Sequence, residues 1–269
     1  MSLTPFLKWP GGKRWFVTHY TELLPTQFNR YFEPFLGGGS VFFHLRPDCP
    51  ILADCNGELI DLYKAVAWRR KELESLLREH EEQHGKRHYY HVRSTIPADS
   101  VGRAARTLYL NRTCFNGIYR VNLAGEFNVP KGTKTAVLLD TDNFAAAASL
   151  LRRAQLLESD FEPIIDQAKA GDLVFADPPY TVRHNNNGFV KYNETLFSWA
   201  DQERLAAALT RAARRGAKIV ATNAAHSELR SLYPQPSFRS TVVKRYSSIS
   251  STNSSRRSYC ELVIRANCS

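Results

Sequence analysis

The apolar run Leu173-Val174-Phe175-Ala176 passes without a break into Asp177-Pro178-Pro179-Tyr180, and this junction limits the fold more tightly than anything else in the chain. Four apolar residues bounded by turn residues read as a short strand buried on both faces. Two successive prolines hold φ near −65° and bring no backbone N–H, so the strand must stop there and the loop beyond it is stiff. In open α/β sheets, ligands bind at the carboxyl ends of strands. A stiff loop in that position can hold an amine. The Asp177 carboxylate and the Pro178 carbonyl are acceptors for its N–H groups, and Tyr180 offers a face on which an aromatic base can stack. Taken alone, the tetrapeptide is equally a rigid turn after a strand, so the rest of the chain has to decide.

At 269 residues, 43% hydrophobic and 12% aromatic, the chain can build one large or two modest cores. No stretch approaches the roughly 18 to 20 uninterrupted apolar residues of a membrane span. Met1-Ser2-Leu3-Thr4-Pro5 lacks a basic segment followed by an apolar one, so a soluble, unsecreted protein is expected. The five cysteines (Cys49, Cys55, Cys114, Cys260, Cys268) are scattered, with no C-x-x-C pair. They predict neither zinc nor a disulfide framework but small buried side chains in a reducing compartment. The eight histidines are taken as surface or core residues, and no metal is expected.

A formal net charge of +10 calls for a polyanionic partner. Between positions 241 and 260, Lys244, Arg245, Arg256 and Arg257 have no acidic neighbour and are interleaved with Ser, Thr and Asn, the composition of a phosphate-contacting loop.

Residues 30–54 read as strand, glycine loop, helix and second strand. Tyr31-Phe32-Glu33 leads into Gly37-Gly38-Gly39, Ser40 is placed to cap a helix beginning Val41-Phe42-Phe43, and Ile51-Leu52-Ala53 ends at Asp54. Glycines there let a ligand approach the backbone, and an acidic residue closing the next strand is the usual holder of ribose hydroxyls. A second α/β stretch starts near Leu150. Residues 172–176 are a strand, Ser198 with Asp201 caps a helix over 202–214, Gly216 suits its C′ position, and Lys218-Ile219-Val220-Ala221 resumes a strand. Between the two, residues 58–83 follow a helical period and residues 103–132 are polar, basic and aromatic. The expectation is an inserted, mainly helical domain over 57–148 bearing a hairpin or loop, with 1–56 and 149–269 forming the α/β domain.

Further motifs lie in order along the chain: Leu7-Lys8-Trp9-Pro10-Gly11-Gly12-Lys13, Phe32-Glu33-Pro34-Phe35-Leu36-Gly37-Gly38-Gly39-Ser40, Asp54, Leu110-Asn111-Arg112-Thr113-Cys114-Phe115-Asn116-Gly117-Ile118-Tyr119-Arg120, Gly125-Glu126-Phe127-Asn128-Val129-Pro130, and Asp177-Pro178-Pro179-Tyr180. In that order and with those residues the chain resembles the Dam-type DNA N6-adenine methyltransferases. The resemblance implies a Rossmann-like S-adenosylmethionine-dependent methyltransferase fold with an inserted target-recognition domain, and S-adenosyl-L-methionine as cofactor. Trp9 and Lys13 would close over that cofactor, with Glu33 at its ammonium group and Phe35, Gly37, Gly39 and Ser40 along it. Asp54 would take the ribose hydroxyls, Asp160 and Phe161 would bracket the adenine, and Asp177 would lie at the methyl group. Asp177, Pro178, Pro179 and Tyr180 would hold a flipped-out adenine of double-stranded DNA. Arg112, Phe115, Asn116, Ile118, Arg120, Asn122 and Pro130 would meet the DNA from the hairpin, Phe115 as a wedge and Arg120 reading a guanine, while Lys244, Arg256 and Arg257 clamp phosphates. GATC is the implied site, although Thr113-Cys114 and Val121 depart from the Dam pattern. His184-Asn185-Asn186-Asn187-Gly188 is expected to move without substrate. A cognate restriction endonuclease is the implied partner, and a monomer or weak dimer in the cytoplasm of a bacterial, archaeal or phage setting, at the nucleoid, is the implied state.

Trp-Pro-Gly-Gly-Lys lacks the spacing of a phosphate loop, and no G-x-S-x-G elbow marks a serine nucleophile. Methylation of RNA adenine or of a protein amide is the enzymatic alternative, disfavoured by Asp rather than Asn at 177. A DNA-binding module without catalysis is the alternative from another class, and methyl incorporation separates it.

Overall fold

The computed structural model describes residues 3–117, 119–122, 125–180, 197–246 and 258–268. Its strands are β1 (Tyr31–Glu33), β2 (Pro50–Asp54), β3 (Gln155–Glu158), β4 (Leu173–Ala176), β5 (Lys218–Ala224), β6 (Arg239–Tyr246) and β7 (Ser258–Ala266). They form a seven-stranded sheet in the order β3-β2-β1-β4-β5-β7-β6. β1 pairs in parallel with β2 and β4, and β4 with β5, whereas β7 runs antiparallel to both β5 and β6. β1 and β4 are buried throughout, as strands covered on both faces must be, and this explains why they are continuous apolar runs rather than alternating ones. The chain leaves β1 toward β2 on one side and returns as β4 on the other. Their carboxyl ends therefore flank the point where strand order reverses, where open sheets bind ligands. The α/β, Rossmann-like expectation is met.

The chain divides into two compact units. One comprises Met1–Val17, Gly37–Asp48 and Asn56–Glu158, the other Thr18–Leu36, Cys49–Cys55 and Ser159–Ser269. In the second, helix Trp199–Arg214 opens on a reciprocal capping box in which Ser198 accepts from the Asp201 N–H and Asp201 accepts from the Ser198 N–H at 2.9 Å. Gly216 follows its end at φ 90°, the left-handed conformation in which glycine carries no Cβ penalty. The helix begins three residues before the expected Gln202, because the cap is Ser198 itself.

The first unit is helical: Gly57–Trp68, Arg70–Glu82, Lys86–Ser94, Ser100–Thr113 and Phe144–Leu151. The run over 58–83 is two helices, broken at Arg69 with φ −124° and ψ 28°. Gly57–Trp68 buries most of its residues, whereas Arg70–Glu82 buries only Leu73 and Leu77. The break thus lets a core helix be followed by an amphipathic one. Phe6, Phe43, Tyr63 and Phe144 pack ring against ring with centroids 5.4–6.5 Å apart. After Thr113 the backbone doubles back through antiparallel bridges Val121↔Phe127 and Cys114↔Lys131, which gives the expected hairpin arm its stem.

Three details correct the sequence reading. Ser40 is not a cap. Gly39, left-handed at φ 63°, occupies that position without a side-chain bond, and Ser40 is the buried first residue of helix Ser40–Leu45. A chain entering a helix through a left-handed glycine cannot also present an extended serine cap. Arg112 does not reach out toward DNA. It is buried, with its guanidinium gripping both carboxylate oxygens of Asp142 at 2.6 Å and donating to the Phe6 carbonyl at 3.0 Å. An arginine at the end of a basic helix looks the same in sequence whichever way it turns. Of the cysteines, only Cys114 is buried, while Cys49, Cys55 and Cys260 are exposed.

Both partners of the Arg112–Asp142 pair are desolvated, with side-chain exposures of 5% and 8%. Removing one charge strands the other in low dielectric. Asp142→Ala is expected to lower stability by about 3 to 5 kcal/mol, as read from urea unfolding.

Candidate active site

β4 delivers the Asp177-Pro178-Pro179-Tyr180 loop to the carboxyl edge of the sheet, and three neighbouring elements hold it. From β5, the Thr222 hydroxyl donates to the Asp177 carboxylate at 2.7 Å. From helix Trp199–Arg214, the buried Gln202 amide donates to the Pro179 carbonyl at 3.3 Å and accepts from Asn223 of β5 at 2.8 Å. From β7, buried Glu261 accepts the Tyr180 hydroxyl at 2.6 Å and forms an ion pair with Arg245 of β6 at 3.0 Å. Burial, reinforced by the Asp177 and Glu261 carboxylates, holds the Tyr180 phenol well above its ordinary range. The hydroxyl therefore stays protonated and acts as a donor. Asp177 keeps partial access to solvent while Pro178 is buried, so the loop shows its polar end outward over a fixed apolar base.

In the same unit Glu33 closes β1, is buried, and accepts the Tyr31 hydroxyl at 2.9 Å. Asp54 closes β2 one strand away, its carbonyl accepting from the Ser159 N–H at 3.1 Å. The turn after β1 leans on β2 through Leu36 N–H to the Ala53 carbonyl at 2.9 Å. Phe35 stacks on Phe161 at 5.3 Å, Phe197 packs against both, and the Arg204 guanidinium stands 4.8 Å over the Phe161 ring. Arg204 also pairs at 2.9 Å with exposed Asp160, whose carboxylate caps the helix Phe161–Ile165. The expected adenine-binding pair is therefore the end of a braced helix.

The first unit holds the other expected cofactor residues. Gly37 and Gly39 have φ of 47° and 63°. Tyr63 donates to the Gly37 carbonyl at 2.9 Å. A Cβ on Gly37 would lie 2.9 Å from Trp9 Cδ1, so the loop passes directly under the indole. Trp9 stacks on Tyr119 at 4.8 Å, and Tyr119 in turn donates to Glu58 at 3.1 Å. Lys13 is buried and donates to the Gly11 carbonyl at 2.8 Å.

On the hairpin arm of this unit Phe115 is 54% exposed, an uncommon state for a large aromatic. Asn116 sits left-handed at φ 57°, its carbonyl accepting from the Lys8 ammonium. Arg120 is exposed, and its Nε donates to the Asn128 side chain at 3.0 Å. Asn122 exchanges bonds with Glu126, accepting from its N–H at 2.9 Å and donating to its carboxylate at 3.0 Å. Exposed Pro130 accepts from the Phe115 N–H at 2.9 Å. Lys244 is an exposed residue of β6 in the second unit. Ile118, Arg256, Arg257 and the segment 184–188 lie outside the described residues.

Residues 9–249 match the family described as D12 class N6 adenine-specific DNA methyltransferase. The chain is a member of that family. Among curated proteins it is 34% identical over 242 residues to the type II methyltransferase M1.LlaDCHI of Lactococcus lactis subsp. cremoris, covering 87% of this chain and 85% of the relative. It is 35% identical to the type II methyltransferase M.MjaIII of Methanocaldococcus jannaschii, covering 91% and 93%. To the DNA adenine methylase of Serratia marcescens it is 36% identical, covering 75% and 76%. The D12 methyltransferase is thus an adenine-specific DNA-modifying enzyme, and DNA is its substrate.

Sequence reading missed Thr222, Gln202, Asn223, Glu261 and Lys8 as site residues of this methyltransferase. Only Glu261 carried a usable signal, being a lone carboxylate in the apolar run Leu262-Val263-Ile264 and its flank. The histidine reading also missed that His80, His84 and His88 stand four residues apart. They pack around Tyr109, with His80 bonded to His88 at 3.0 Å and His84 to the Tyr109 hydroxyl at 2.9 Å. Burial pushes His80 down to about 4. Among the described residues no group of three or more His, Cys, Asp or Glu side chains is placed to hold a metal ion, and no helix is long and apolar enough to cross a membrane.

Gly37→Ala forces a Cβ into the Trp9 ring at a positive φ. It is expected to cost roughly 1 to 2 kcal/mol or more and to shift tryptophan emission, both measurable in one fluorescence-monitored urea titration.

Proposed function

We propose that this enzyme transfers a methyl group from S-adenosyl-L-methionine to N6 of an adenine flipped out of duplex DNA, within the sequence GATC. The observation that carries the reading is the position of Asp177. Its carboxylate follows β4 at the reversal point of the sheet, is held by Thr222, and is succeeded by two prolines and a tethered tyrosine.

The residues present suit the donor. Glu33 and Asp54 close adjacent parallel strands, and two acidic residues there match a cationic ligand with a ribose diol. The turn of residues 37–39 admits close backbone approach with Trp9 against it, and the family resemblance assigns Lys13, Phe35 and Ser40 to the same cofactor and Asp160 with Phe161 to its adenine. When bound, the cofactor supplies an electrophilic methyl group that needs no acid for activation. The protein's task is then alignment, which supplies up to ~7 to 11 kcal/mol in well-ordered cases. Asp177 accepts an N–H of the exocyclic amine and localises its lone pair on nitrogen, and Tyr180 supports the ring from one side. The Pro178 carbonyl is the second acceptor. A paired adenine cannot reach Asp177, so extrusion from the duplex, at a cost of a few kcal/mol, precedes transfer.

Residues 57–148 supply target recognition and 1–56 with 149–269 the chemistry. Phe115 enters the vacated stack. Arg120, whose side chain already accepts orientation from Asn128, reads a guanine through O6 and N7, and Asn116, Ile118, Asn122 and Pro130 complete the groove contacts. Lys244, Arg256 and Arg257 hold phosphates. The exposure of Phe115 and Arg120 supports this assignment. The enzyme acts as a monomer or weak dimer on nucleoid DNA in the cytoplasm. A cognate restriction endonuclease is its partner, in line with the type II methyltransferases among its relatives.

Labelled-methyl transfer to duplexes carrying GATC, against matched duplexes carrying GTTC or GACC, tests the reading. Incorporation confined to GATC is expected. Equal incorporation everywhere removes the specificity assignment, and none in any DNA removes the reading of the site. Asp177→Ala is expected to abolish transfer while cofactor affinity, measured by calorimetry, is largely kept. Arg120→Ala should narrow discrimination at one guanine by ~1 to 3 kcal/mol. A uniform loss on all sequences would instead make Arg120 a phosphate contact.

A further inference from the structure

We propose that Glu261 is a positioning residue for methyl transfer: from β7 it anchors the Tyr180 ring by holding the phenol hydroxyl, so that the platform for the target base is set before the base arrives. The inference rests on the reading of Tyr180 as that platform.

Glu261 is 2% exposed in a strand that is otherwise apolar at Leu262-Val263-Ile264. A carboxylate there is costly to desolvate, and a leucine of similar size would serve the core better. What the carboxylate adds is the 2.6 Å bond to Tyr180, a distance in the range of a charge-assisted O–H···O⁻ bond. Arg245 pairs with that carboxylate at 3.0 Å and so locates it. It lies on β6 two residues from Val243, the residue paired with Glu261, and so on the same face. β5 flanks Glu261 on its other side through the Ala224 register, so the anchor sits on a central strand with a neighbour on each side.

A tyrosine ring is free to rotate about two side-chain bonds. Holding the hydroxyl oxygen fixes the swing of the ring about its first side-chain bond, and because a phenol O–H prefers to lie in the plane of its ring, an acceptor at one fixed position also favours one ring plane. Thr222 and Gln202 hold the Asp177 carboxylate and the Pro179 carbonyl, so the amine acceptor and the stacking platform are fixed relative to each other within one loop. The raised phenol keeps its proton throughout the working pH range, so the bond is a hydroxyl donated to a carboxylate and Tyr180 takes no part as an acid or base. Precision is what such a tether serves, because a displacement of about 1 Å in a reacting geometry can cost a hundredfold in rate.

The full-length enzyme, first shown to methylate a GATC duplex, is compared with Tyr180→Phe, Glu261→Gln and the double variant. Failure of the unmodified enzyme on every duplex overturns the platform reading and this inference with it. With activity established, the variants test the inference alone. Each single variant is expected to lower kcat about tenfold, with KM for S-adenosylmethionine unchanged for Tyr180→Phe and its unfolding midpoint lowered only modestly, as the loss of one hydrogen bond requires. The double variant should be no slower than Tyr180→Phe, since Glu261 acts through the hydroxyl. With 2-aminopurine at the target position, emission from the variant complexes should exceed that of the unmodified complex, as stacking is loosened. Wild-type kcat in Tyr180→Phe overturns the proposal, and this variant keeps the test valid if Glu261→Gln does not fold. Fully additive losses, or a lower unfolding midpoint in Glu261→Gln with kcat and 2-aminopurine emission unchanged, reduce Glu261 to a structural ion pair and equally overturn it.

Discussion

The parallel pairing of β4 with β1, Val174 against Phe32, is the contact on which the site depends. It sets the end of β4 beside the end of β1, at the place where the chain has gone one way across the sheet and come back the other. Two prolines then deny the sheet any further hydrogen bonds along β4. Without that pairing, Asp177-Pro178-Pro179-Tyr180 would be a turn like any other. With it, an acceptor carboxylate and an aromatic ring stand at the reversal point, while Glu33 and Asp54 close the neighbouring strands.

Stiffness of the loop has two sources of different range. Proline rings fix φ locally and require nothing from the fold. The hydrogen bonds from Thr222, Gln202 and Glu261 come from residues at least 23 positions away in sequence, and each exists only when β5, β7 and helix Trp199–Arg214 are assembled. The local term narrows the loop's own conformations. The long-range term orients its side chains, which the prolines cannot do. A net hydrogen bond contributes about 1 kcal/mol, so three of them are a modest gain in stability but enough to make one loop arrangement strongly preferred over its alternatives.

What could be read in the sequence follows the same division of range. The Ser198/Asp201 box, Gly216 after the helix, and the apolar runs of β2 and β4 were legible because each rule involves residues within a turn or a strand of one another. Ser40 was misread because a cap is defined by backbone conformation, and a third glycine took the position one residue earlier. The break at Arg69 was invisible because both flanking helices keep a helical period, and only burial separates a core helix from an amphipathic one. Glu261 and Thr222 escaped notice since their partners lie 81 and 45 residues distant. The Asp177-Pro178-Pro179-Tyr180 loop, being compact in sequence, was legible as a motif; the groups that hold it were not.

Arg112 and Arg120 make the point most sharply. They are eight residues apart in one basic segment and were assigned the same kind of partner. Arg112 ends a helix whose last turns are wholly buried, where an unpaired guanidinium would be untenable, and Asp142 meets it there. Arg120 stands on the doubled-back arm beyond that helix, exposed and steadied by a neutral amide that leaves its charge uncompensated by that contact. A carboxylate neutralises an arginine, whereas an amide only aims it. The chemistry of the partner thus separates the two: Arg112 serves the fold that carries the arm, whereas Arg120 keeps an exposed guanidinium, the state that the proposed guanine contact needs.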